Sequence, residues 1–112
     1  MPTPTQRATR DISALVMGNE KLAEVVLALV AENGSATAQQ IAVRLTVNHD
    51  LARSPLQKLV RAGVLTELPR RGGPRSELFY EVIDSPLWRA LVALAVAVQG
   101  HAASRVSPAG TP

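Results

Sequence analysis

The sequence predicts a mainly α-helical domain carrying a small β-hairpin, and three observations predict it. Leu22, Val25, Val26, Leu29 and Val30 recur at helical spacing between Glu20 and Asn33, making one apolar stripe. Two shorter helical patterns follow within residues 37 to 63, separated by Thr46-Val47-Asn48. Two strand-like segments, Val64 to Leu68 and Glu77 to Ile83, then bracket a loop of Pro, Arg and Gly.

Residues 1 to 8 are rich in Pro and Thr and predict a flexible tail. Ile12, Leu15 and Val16 suggest a short helix from Asp11 to Met17, broken by Gly18-Asn19. The striped helix follows, with Lys21, Glu24 and Glu32 outward and Gly34 as its stop. Thr37-Ala38-Gln39-Gln40 is a capping-box pattern opening a brief helix whose Ile41, Ala42 and Leu45 face inward. Asn48 is a good cap for the next helix, which ends at Gly63 and turns Ala52, Leu56, Leu59 and Val60 inward.

Pro55 either kinks that helix or starts it afresh behind Ser54; a kinked helix over 49 to 62 leaves the shorter loop and is preferred. In the second strand Leu78, Tyr80 and Val82 share a face. Ser85-Pro86 caps a final helix of about 14 residues closed by Gly100. Helix, tight turn, helix, strand, basic loop, strand is the order of a winged helix-turn-helix, a module that grips duplex DNA. The expected organisation is one domain over 9 to 100, with the helix-turn-helix at 37 to 63, the wing at 64 to 83 and a C-terminal dimerisation helix at 85 to 99. Residues 101 to 112 make a second flexible tail.

Between Leu87 and Val98 the last helix has only Arg89 as a non-apolar residue. At about 1.5 Å per residue it spans about 21 Å, short of the ~30 Å hydrocarbon core, so no membrane span is expected. Apolar all round, it needs burial on more than one side. Leu87, Leu91, Leu94 and Val98 are assigned to its own domain; Trp88, Val92, Ala95 and Val96, with Ile12, Leu15 and Val16 of the first helix, are assigned to a homodimer interface.

Charge is unevenly placed. Residues 35 to 76 hold seven basic residues against two acidic ones, a net of +5, while the remainder holds five against seven, a net of −2. The positive excess lies within the helix-turn-helix and wing, as a polyanion-facing surface requires. Outward side chains of the second helix are His49, Asp50, Arg53, Ser54, Gln57, Lys58 and Arg61, and Gln39 and Arg44 face outward on the first. Arg53 and Gln57, four apart, can each pair bidentately with a purine in the major groove, while Lys58 and Arg61 suit phosphates. Arg70, Arg71 and Arg75 around Gly72-Gly73 suit the minor groove or its flanking phosphates.

Ile41-Ala42-x-x-Leu45 and the run from Leu56 to Leu65, LQKLVRAGVL, resemble the ArsR/MarR-type winged helix transcriptional regulators of bacteria over residues 20 to 99. That resemblance implies a dimeric DNA-binding regulator whose first and last helices form the dimer. It makes residues 48 to 61 the recognition helix and 69 to 76 the wing tip. Two departures stand out: Pro55 sits where the recognition helix normally continues unbroken, and the cysteine-based metal sites of many ArsR-type sensors are missing.

With no cysteine, two isolated histidines (His49 and His101), no phosphate-cradling glycine motif and no carboxylate pair in a cleft, neither an enzyme nor a metal site is expected, and no cofactor. The first residues lack a secretory signal, and a cytoplasmic, nucleoid-associated location is expected. The expected function is sequence-specific binding of double-stranded DNA as a dimer; the alternative is a winged helix used for protein–protein contact or as an accessory subunit. No polar cluster marks a pocket for a small-molecule effector.

Overall fold

The computed structural model describes residues 2–69 and 78–106, with residues 69 and 78 described by backbone alone. Its elements run α1 (Pro4–Met17), α2 (Leu22–Ala31), β1 (Ser35–Thr37), α3 (Ala38–Leu45), α4 (His49–Arg61), β2 (Leu65–Pro69), β3 (Leu78–Val82) and α5 (Pro86–Val106). The wing tip with Arg70, Arg71 and Arg75 and the stretch from 107 onward lie outside the described residues.

The chain is helical from Pro4, so most of the expected tail over 1 to 8 belongs to α1. Thr3 and Gln6 form a reciprocal capping box: Thr3 Oγ1 accepts from the Gln6 N–H at 3.0 Å, and Gln6 Oε1 accepts from the Thr3 N–H at 2.8 Å. Proline at the first helical position suits a site whose N–H has no helical partner. Gly18, with φ 76°, ends the helix where expected. Ser13 then joins α1 to α2: its buried hydroxyl donates to Asn19 O at 2.6 Å and accepts from the Ala23 N–H at 3.1 Å.

α2 is the centre of the domain and packs against α1, α3, α4 and α5. Leu22, Val25, Val26 and Leu29 are buried as their spacing predicts, while Val30 is exposed. All three charges expected outward are paired, Glu32 with Arg44 at 2.6 Å. Lys21 is buried along its stem, its ammonium 2.7 Å from Glu20, which holds the Glu20 carboxyl below the usual carboxylate range. Glu24 turns toward α1 and pairs with Arg10.

Three helices end in one way. Asn33, Thr46 and Gly63 adopt left-handed φ values of 61°, 57° and 84°. The next N–H reaches back across the last turn each time: Gly34 to Leu29, Val47 to Ala42 and Val64 to Leu59, at 2.8, 3.0 and 3.1 Å. Gly34 is left-handed as expected, with φ 88°, but the turn out of the helix begins one residue earlier, at Asn33. Thr46 is the strained member, because a β-branched side chain crowds its backbone in this region. Thr46→Gly is expected to stabilise the fold by about 0.5 to 1 kcal/mol, the relief of strain less the greater freedom of glycine when unfolded. Urea melts measure it, and a loss of stability would show that Thr46 is not strained.

The sheet has the order β1-β3-β2, all antiparallel. Leu65 lies opposite Val82 and Glu67 opposite Tyr80, as a hairpin stem requires. The third strand, β1, was not expected: it is three residues long, too short for any period to show, and pairs Ala36 with Tyr80. Its last residue, Thr37, also caps α3, so one residue ends the strand and begins the helix.

α4 is a single helix capped by Asn48, with Pro55 buried inside it rather than starting it. α5 is longer than expected, 21 residues, and runs through Gly100, which does not take a left-handed φ. Ala102, fully buried beyond it, keeps the last turns on the domain.

The faces of α5, which packs on α1 and α2, differ from expectation in part: Val98 is buried and Val96 exposed as expected, but Trp88, Ala95 and Ala102 are also buried, while Leu87 and Leu94 are exposed. Trp88 and Ala95, together with Ile12 of α1, are thus core residues and not free for a dimer interface; Val92 is half-buried. The stretch from Leu87 to Val98 has no polar face to mark its buried side in the sequence. Among the described residues no helix is long and apolar enough to cross a membrane.

Candidate nucleic-acid interface

The helix-turn-helix is built from local signals. Thr37 and Gln40 cap α3 reciprocally at 2.8 and 3.2 Å, as the sequence pattern predicts. Ile41, Ala42 and Leu45 bury one face of α3, and Ala52, Leu56 and Leu59 bury one face of α4. Asn48 Oδ1 accepts from the Leu51 N–H at 3.2 Å and starts α4 at once after the turn.

Burying that apolar face leaves a polar one outward. Asp50, Arg53, Ser54, Gln57, Lys58 and Arg61 line one open concavity of about 350 Å³ along α4. Arg53, Ser54, Lys58 and Arg61 are exposed, and the Asp50 side chain is 91% exposed. His49 is half-buried, and its Nδ1 lies 3.8 Å from Asp50 Oδ1, so it does have a carboxylate neighbour. Three cations against one carboxylate on one helix face suit a polyanion.

Other candidates stand apart. Gln39 and Arg44 line a different concavity on α3, with Glu32, Gln40 and Val43. Arg44 Nε donates to Glu32 Oε2 at 2.6 Å, which ties α3 to the end of α2. Gln57 is held by the hairpin stem: its amide nitrogen donates to Glu67 Oε2 at 2.9 Å and to the Tyr80 hydroxyl at 3.1 Å.

A second linkage was not foreseen. Arg10 Nε donates to Glu24 Oε1 at 2.5 Å, and its Nη2 donates to the Leu45 carbonyl at 3.2 Å. One guanidinium thereby joins α1, α2 and the C-terminal end of α3, where a cation meets the negative end of the helix dipole. No periodicity could have found this contact, whose partners lie 14 and 35 residues from Arg10.

No protein-family model and no curated protein sequence matches the chain. Solved structures do match its fold. A MarR-family transcriptional regulator from Rhodococcus sp. RHA1 aligns over 96% of this chain and 73% of its own, with a TM-score of 0.70 and 14% identity. A MarR-family protein from Mycobacterium tuberculosis, in complex with salicylic acid, aligns over 90% of this chain and 72% of its own, with a TM-score of 0.63 and 21% identity. An organohalide-sensing transcriptional regulator, in its 2,4-dichlorophenol-bound form, aligns over 96% of this chain at a TM-score of 0.67 and 13% identity. This chain spans only 62% of that regulator's length. The chain has the winged helix-turn-helix fold. Of these three structures, two are MarR-family proteins and the third is a transcriptional regulator.

Proposed function

We propose that the chain is a DNA-binding transcriptional regulator that acts as a dimer, with α4 in the major groove and the Arg-rich hairpin on the minor groove or its phosphates. One observation carries this reading: Arg53, Lys58 and Arg61 project from one exposed face of a helix whose opposite face is packed into the domain. A helix presented in this way fits the ~12 Å width of the major groove. Its N-terminal Asp50 and Arg53 point to bases, and Lys58 and Arg61 to phosphates. The exposed Leu15, Val16, Leu87, Leu94 and Val96 on α1 and α5 support a second copy of the chain as the dimer partner.

A gel-shift series on genomic fragments tests the reading. Binding that neutralises about five to seven phosphates falls by roughly 500- to 6,000-fold between about 50 and 200 mM salt. Salt-insensitive binding, or no binding to any fragment, would sink it. The same exposed apolar residues favour one other reading, an accessory subunit that docks on a different protein. Light scattering separates the two: a stable dimer of this chain supports the regulator, and an aggregating monomer supports the accessory role.

A further inference from the structure

Gln57 stands midway along the outward row of α4, where a glutamine can read adenine by donating to N7 and accepting from N6. Here its amide is already engaged. A carboxylate can only accept, so the bond to Glu67 makes the amide nitrogen, not the oxygen, face the hairpin. The amide nitrogen carries two hydrogens, and Glu67 and Tyr80 accept from it at 2.9 and 3.1 Å. These two acceptors are one cross-strand pair, Glu67 on β2 opposite Tyr80 on β3. Tyr80 is 2% exposed and pairs on its other side with Ala36 of β1, so the acceptor on that side is anchored in the centre of the sheet.

We infer that Gln57 is a positioning residue, which clamps the hairpin stem onto the recognition helix and sets the angle between them, and that it does not read a base. The inference rests on the DNA-binding reading above. A hairpin released from α4 could no longer meet the duplex in register with that helix, so the loss of the clamp lowers affinity for every sequence alike.

Exchanging the two side chains tests it at constant net charge. Gln57→Glu sets two carboxylates against each other and is expected to lower affinity about tenfold or more. Glu67→Gln leaves an amide oxygen as acceptor and loses less. The double exchange, Gln57→Glu with Glu67→Gln, rebuilds an amide–carboxylate bond with the roles reversed. It is expected to restore affinity to within about threefold of the native chain, and to select the same sites from random DNA. If the exchange stays as weak as Gln57→Glu, or its selected sites change at a single base position, Gln57 is a reader and the inference fails. Thermal melts of all four proteins supply an independent reading: Gln57→Glu lowers the midpoint and the exchange recovers it. Should the native chain bind no DNA, the regulator reading falls on its own, and the melts still decide the clamp.

Discussion

Arg10→Met is expected to destabilise the fold by about 3 kcal/mol, because it strands a carboxylate that has little access to water. The side chains of Arg10 and Glu24 are only 14% and 11% exposed. Nε meets Oε1 at 2.5 Å, a longer contact of 3.5 Å joins Nη2 to Oε2, and the same Nη2 binds the Leu45 carbonyl at 3.2 Å. Methionine keeps most of the packing volume and removes only the charge and the donors. Glu24 is then left between α1 and α2 without this partner, and the Leu45 carbonyl at the end of α3 loses its guanidinium donor. For a domain of this size, the melting midpoint should drop by about 10 °C. Arg10→Met with Glu24→Leu removes both charges and is expected to recover most of that loss, since desolvation offsets much of what a buried pair gains. Urea denaturation of the three proteins measures it. A loss under about 1 kcal/mol for the single change would mean that the pair behaves as a solvated surface contact.

Arg53→Ala has the largest expected effect on DNA binding. Arg53 is exposed near the start of α4, the part of a recognition helix that reaches base edges. A bidentate guanidinium–guanine pair contributes about 1–3 kcal/mol of discrimination, so affinity for the selected site should fall roughly 10- to 100-fold. Preference at one base position should flatten, while binding to unrelated DNA changes little. Lys58→Ala and Arg61→Ala, further along the same face, should differ in kind: both weaken binding to all sequences and each lowers the salt slope by about one. Site selection on the three variants distinguishes these patterns. A uniform loss for Arg53→Ala, with unaltered base preference, would make it one more phosphate contact and leave specificity to other residues.

What could be read from residues in order was the local part of the fold. The stripe of α2, the Thr37–Gln40 box and the Asn48 cap rest on spacings of a few residues, and the hairpin stem on two strand patterns that follow one another in the chain. The Thr3–Gln6 box is of the same kind, and the proline-rich composition around it disguised it as a tail. β1 escaped because three residues cannot display a period, and the length of α5 because Gly100 stops a helix only if it turns left-handed. On α4 the apolar face predicted the polar one, so Arg53, Lys58 and Arg61 emerge together as expected.

The winged helix order and the basic face of α4 were legible in the order of residues, because capping and helical periodicity act over one or two turns. Which side of α5 is buried, the reach of Arg10 to Glu24 and Leu45, and the commitment of Gln57 to Glu67 and Tyr80 became visible only in the folded chain. Those partners lie 10 to 35 residues apart along the chain. Their meeting depends on how whole elements pack, which no local spacing encodes.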